Sequence, residues 1–154
     1  MPVEDAARPS SVPRRRSRVL LVEDDMTNML VATGALELYG CQVVTVSNGE
    51  QALGAVQAMA ALRDSGHASD ASAFDLVLMD FHMPVMDGLQ ATRAIRAWEA
   101  RTQRLPLPIV AITASAMPDE RQACMAAGMD DVLVKPFRFV EVSRLLERWV
   151  PRAA

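Results

Sequence analysis

Lysine is almost absent from this chain, where Lys135 stands alone against fifteen arginines. Aromatic residues make up only 5% of it, so a core drawn from an apolar fraction of 51% must be filled by aliphatic side chains and by ten methionines. No uninterrupted apolar run reaches the length of about 18 residues that a membrane span needs. The start, Met1 to Arg18, also lacks the apolar segment of a secretory signal. The expected location is therefore cytoplasmic, with no membrane contact by this domain. Cys41 and Cys124 fit no paired spacing such as C-x-x-C, which argues against a thiolate metal centre and leaves both as small core residues.

A length of 154 residues suits one domain with a full core. The net charge of -3 hides an asymmetry. Residues 1–18 carry five arginines against Glu4 and Asp5, so this end is basic and the remainder acidic. With Pro2, Pro9 and Pro13 and little apolar surface, residues 1–17 are expected to form a disordered basic linker or tail. Arg14, Arg15, Arg16 and Arg18 come without interleaved aromatics, and no nucleic-acid contact is expected.

From Arg18 onward, short apolar runs alternate with helical periods. Val19–Val22, Cys41–Val46, Leu76–Met79, Ile109–Ile112 and Val132–Val134 read as strands buried on both faces. Between them, Leu30, Val31, Gly34, Ala35 and Leu38 recur at helical spacing. Asn48-Gly49 opens an alanine-rich helix, Leu89, Ala91, Ile95 and Trp98 mark another, and Pro118 starts one that ends by Gly128. Val142, Leu145, Leu146 and Trp149 lie on one face of a last helix. Residues 64–73 are small and polar and form a loop, and His67 within it is expected to be solvated. Strands alternating with helices imply an α/β doubly wound domain over residues 18–150, with 151–154 a C-terminal tail.

Ligands of such a sheet bind beyond the carboxyl ends of its strands. Those ends carry Glu23-Asp24-Asp25, Asp80, Thr113 and Lys135. Grouped carboxylates repel one another unless a cation sits among them, and an oxygen-only cluster suits Mg²⁺. An aspartate can itself attack phosphorus, while a hydroxyl and a compact ammonium contact phosphoryl oxygens. Joint placement at successive strand ends therefore points to phosphoryl chemistry.

The residues that carry this argument, Val19-Leu-Leu-Val-Glu23-Asp24-Asp25, Asp75-Leu-Val-Leu-Met-Asp80 with Met83-Pro84-Val85-Met86-Asp87-Gly88, Ile112-Thr113-Ala114 and Lys135-Pro136, resemble the receiver domain of two-component response regulators. The resemblance implies a flavodoxin-like five-stranded parallel sheet in the order 2-1-3-4-5, with helices on both faces. It implies Asp80 as phosphoacceptor, taking its group from a phosphohistidine. Asp24, Asp80 and the backbone carbonyl of His82 would ligate Mg²⁺, with Glu23 acting through water. Thr113 would be the switch hydroxyl, Lys135 the cation paired with the phosphoryl group, and Asp87 and Gly88 the shapers of the loop after the acceptor.

The implied partner is a histidine kinase or a histidine phosphotransfer protein, and a homodimer is left open. Glu23-Asp24 followed by Thr27-Asn28 is most similar to receivers attached to hybrid sensor histidine kinases, although a stand-alone regulator has much the same sequence. With His67 and His82 as its only histidines, the chain receives phosphoryl groups and does not donate them. Turnover in the enzymatic sense is not expected beyond slow loss of the chain's own phosphoryl group.

Three departures stand out. Val132 replaces the aromatic residue common three positions before the lysine. The side chains of His82 and Ser115 flank the path of hydrolytic water and are expected to tune phosphoryl lifetime. The loop at 64–73 is longer than usual, which suits a tolerated surface loop.

Met26 and Met29, beside Leu30, divide between core packing and an adaptable surface for a helical partner. Two other function classes remain: a phosphatase of the haloacid dehalogenase type, disfavoured because Asp80-Phe81-His82 lacks the second aspartate of Asp-x-Asp, and a phosphorylation-independent interaction module.

Overall fold

Three of the five strands are apolar at every or nearly every position because they are covered on both faces. The computed structural model describes residues 17–65, 74–83, 85–115, 117–136 and 138–150. Its elements run β1 (Arg18–Val22), α1 (Met26–Leu38), β2 (Gln42–Val46), α2 (Gly49–Asp64), β3 (Leu76–Asp80), α3 (Gly88–Arg101), β4 (Ile109–Thr113), α4 (Pro118–Ala127), β5 (Asp131–Val134) and α5 (Phe139–Trp149). All neighbouring strands pair in parallel, in the order β2-β1-β3-β4-β5. Strand limits differ from expectation by one residue at most: Cys41 precedes β2, and Asp80 and Thr113 close β3 and β4.

The pleat splits the core into two layers. Val19 and Leu21, Leu76 and Leu78, and Val110 and Ile112 pack against Ala32, Ala35 and Leu36 of α1 and Val142 and Leu145 of α5. Leu20 and Val22, Val77 and Met79, and Ile109 and Ala111 face Ala52 and Val56 of α2, Ala91 and Ile95 of α3 and Cys124 of α4. Each large aliphatic side chain buried this way contributes roughly 2 kcal/mol relative to exposure. Cys41 and Cys124 are both buried.

One helix turned a different face to the sheet than its spacing suggested. Leu30, Val31 and Leu38 of α1 are exposed, while Ala32, Ala35 and Leu36 are buried. The helix is apolar nearly all round, so periodicity could not choose its inner face. Small alanines on either side of Leu36 let α1 approach the sheet closely, and Leu30, Val31 and Leu38 are left outside.

Helix starts are fixed by short polar side chains. Asp25, Asn48 and Asp87 accept from the backbone N–H groups of Asn28, Gln51 and Gln90, and Gln90 closes a capping box on Asp87. In contrast, α4 starts on Pro118 with no side-chain cap at Met117, and ends at Gly128 in the left-handed region, φ 109°. The basic tail, His67 with most of its polar loop, and residues 151–154 lie outside the described residues.

Candidate functional site

The order β2-β1-β3 reverses the chain's direction of growth between β1 and β3, which opens a crevice at the carboxyl ends of these strands. Glu23 and Asp24 follow β1, and Asp80 ends β3. Carboxylate oxygens of these three residues all lie within 4.8 Å of one another. Glu23 and Asp80 are buried, whereas Asp24 faces solvent. Lys135, one residue beyond β5, reaches across with Nζ 3.1 Å from Glu23 Oε1 and 3.7 Å from Asp80 Oδ2. Its peptide bond to Pro136 is cis.

One ammonium cannot balance three carboxylates in so small a volume, and the deficit appears at Asp80. Burial, reinforced by the neighbouring Glu23 carboxylate, pushes the Asp80 carboxyl from 3.8 up to about 7, against the opposing pull of Lys135 and the His82 backbone. A carboxyl raised this far, first by burial and then by a like charge, is held ionised only by added positive charge beside it. An all-oxygen donor set with that deficit, open to water at Asp24, fits a divalent cation of the Mg²⁺ type.

The loops around Asp80 are held by backbone contacts. His82 N–H points to Asp80 Oδ1 at 3.4 Å, and the His82 ring stands edge-on to Phe81 with centroids 4.5 Å apart. Gly88 is required by close approach, because a Cβ there would run into the Asp80 carbonyl oxygen and lie 3.2 Å from Met79 Cγ. Gly49 meets the same loop from the other side, donating its N–H to the Met86 carbonyl at 3.0 Å. Met86 and Gly88 are thus held against α2 and the end of β3.

The hydroxyl of Thr113 is buried and donates to Glu120 Oε1 in the first turn of α4, at 2.9 Å. It also accepts from the Ser115 backbone at 3.2 Å. Ser115 Oγ in turn accepts from Met117 N–H at 3.2 Å. Lys135 N–H bonds the Thr113 carbonyl at 2.7 Å, which fixes the lysine's strand end against the threonine's.

The structure therefore brings Glu23, Asp24, Asp80 and Lys135 to one rim, with Thr113 at the end of β4 and Ser115 on the loop that follows. Two contacts had no signal in the reading of the sequence. Glu23 ion-pairs with Lys135 across 112 residues of chain. Glu120 was overlooked, although an acid at the third position of a helix often reaches back to the residues before it.

A family model described as the response regulator receiver domain matches residues 19–147. The chain belongs to that family. This receiver is 44% identical over 135 residues to the sensor protein GacS of Pseudomonas syringae pv. syringae, a match covering 88% of this chain and 14% of that protein. The chain thus spans a small part of the length of that relative. Among solved structures, it is similar to the receiver domain of the sensor histidine kinase PA1611 from Pseudomonas aeruginosa PAO1, which has a magnesium ion coordinated in its active-site cleft. That match has 38% identity, a TM-score of 0.67 and coverage of 87% and 97% of the two chains. The receiver domain of the histidine kinase CKI1 from Arabidopsis thaliana, complexed with Mg²⁺ and BeF3⁻, is 32% identical with a TM-score of 0.73, covering 86% of this chain and 90% of that one. Among the described residues, no helix of this receiver is long and apolar enough to cross a membrane.

Proposed function

We propose that this receiver takes a phosphoryl group from a phosphohistidine onto Asp80 and changes conformation in response. The observation that carries the reading is the crowding of Glu23, Asp24 and Asp80 within 4.8 Å around a single ammonium. An Asp80 oxygen attacks phosphorus, the phosphorus–nitrogen bond breaks, and its electron pair returns to the imidazole of the donor. Asp24, Asp80 and the His82 carbonyl would hold Mg²⁺, with Glu23 acting through water. Bound there, the ion neutralises charge on the phosphoryl oxygens and keeps Asp80 ionised. Lys135 exchanges part of its contact with the carboxylates for a phosphoryl oxygen, and Thr113 donates to another. His82 and Ser115 flank this position and set how readily water reaches it.

The donor is a histidine kinase or a histidine phosphotransfer protein, in keeping with the sensor kinases to which the chain is similar. Met26 and Leu30, exposed at the start of α1 beside the site, offer an apolar surface to a donor helix. Two cysteines without a paired spacing, Cys41 and Cys124, suit a reducing compartment, and we place this chemistry in the cytoplasm.

The test is intact-mass spectrometry after incubation with acetyl phosphate. A single labile phosphoryl group should appear with Mg²⁺, vanish with a chelator and be absent in Asp80→Asn. Labelling that persists in the variant would overturn the assignment of Asp80. Steady turnover of phosphate esters would instead favour a phosphatase.

A further inference from the structure

Helix α4 starts without a side chain capping it from Met117, and its first turn is tied back to the end of β4 and the loop that follows. It has ten residues. Its buried residues, Cys124 and Ala127, both lie in its second half. Over Pro118–Ala123, the side-chain ties among the described residues are the Thr113–Glu120 hydrogen bond at 2.9 Å and a 3.9 Å contact from Arg121 to Asp131.

Thr113 thus links the rim of the site to this turn. A threonine hydroxyl has one proton to donate, and here it is given to the Glu120 carboxylate. If phosphoryl oxygens arrive at Asp80, the same proton must be withdrawn from Glu120 before it can reach them. The two bonds exclude each other.

We propose that Glu120 is a positioning residue that holds the Thr113 hydroxyl off the acceptor in the resting receiver, and that its release frees the first turn of α4. The inference rests on the reading of Asp80 as the acceptor. It also supplies a route from site to surface that needs no aromatic ring at Val132. When Thr113 turns toward the phosphoryl group, Glu120 loses its partner, and the turn at Met117 to Arg121 keeps the Ser115 bond to Met117 N–H but loses the side-chain bond that ties it directly to β4. Met117 is already 60% exposed there, so the released turn presents an apolar side chain to whatever reads the signal.

Competition makes a quantitative prediction. Breaking the resting bond costs the active state about as much as one hydrogen bond to a charged acceptor, net of water, so removing Glu120 should tighten binding of a phosphoryl mimic about tenfold. The experiment titrates beryllofluoride in the presence of Mg²⁺ into the wild-type chain, Glu120→Ala, Thr113→Ala and the double variant, following the backbone amide resonances of Met117 and Arg121. Glu120→Ala should raise the apparent affinity about tenfold, and Glu120→Gln, which keeps a neutral acceptor, by roughly threefold. In the Thr113→Ala background, Glu120→Ala should change the affinity less than about twofold, because the bond is already gone.

An equal gain in both backgrounds would mean that Glu120 acts only through its charge, and no gain in the Thr113 background of the wild type would mean that it restrains nothing. Either result overturns the proposal. If Glu120→Ala does not fold, the Glu120→Gln pair decides by the same comparison. Failure of the wild-type chain to bind beryllofluoride would count against the acceptor reading and is thereby distinguished from failure of the latch.

Discussion

Replacing Asp80 by asparagine removes a carboxylate whose ionisation folding opposes. The folded carboxyl is pushed up to about 7 from 3.8, first by burial and then by Glu23. Between those values the folded chain binds more protons than the unfolded one, so metal-free stability should fall as pH rises through that window. For one group with these two constants, the loss between about pH 5 and about pH 7.5 is on the order of 2 to 3 kcal/mol.

Urea unfolding of the metal-free wild type and Asp80→Asn at both pH values isolates this effect, because other titrating groups cancel in the comparison. The variant should be only slightly different from the wild type near pH 5 and more stable near pH 7.5, the gap widening by about 2 kcal/mol. Saturating Mg²⁺ should close the gap by stabilising the ionised wild type alone. A gap that stays constant with pH, or that narrows as pH rises, would refute the charge-deficit argument.

Three other substitutions probe different parts of the account. Lys135→Ala leaves Glu23 as a buried carboxylate without its counter-ion, and should destabilise the metal-free chain by about 1 to 3 kcal/mol in thermal or urea unfolding, with Mg²⁺ restoring more stability than it gives the wild type. Gly88→Ala would drive a methyl group into the Asp80 carbonyl oxygen, so unfolding should show a loss of about 2 kcal/mol or more. Leu30→Ser, on an exposed position of α1, should change stability by less than about 0.5 kcal/mol. It should nevertheless slow phosphotransfer from a phosphohistidine protein several-fold while leaving acetyl phosphate labelling unchanged, and equal slowing of both reactions would count against α1 as the docking surface.

The strand ends were legible in the sequence because polar residues interrupt apolar runs there. Asp80 follows four fully apolar residues, and Thr113 follows another four, so the pattern itself delivers both to the rim. Residues Ala91, Ile95, Val142 and Leu145 were equally plain, because polar neighbours flank them on the other faces of α3 and α5. The inner face of α1 was not, since Leu30, Val31 and Leu38 are as apolar as the residues that win the core. Packing against the sheet selects the small alanines, and no one-dimensional pattern carries that steric choice. The Glu23–Lys135 pair and the Thr113–Glu120 bond were hidden for a different reason. Each depends on where a side chain turns once the strands are assembled, and Glu120 also has the ordinary alternative of favouring a helix start.

The most direct test of the account traps the phosphoryl group chemically. After incubation with Mg²⁺ and acetyl phosphate, borohydride reduces an aspartyl phosphate to homoserine, and peptide sequencing by mass spectrometry reads the position. Homoserine should appear at residue 80, and only when Mg²⁺ is present. Homoserine at Asp24 or at another carboxylate, or none anywhere, would contradict the claim that Asp80 accepts the phosphoryl group.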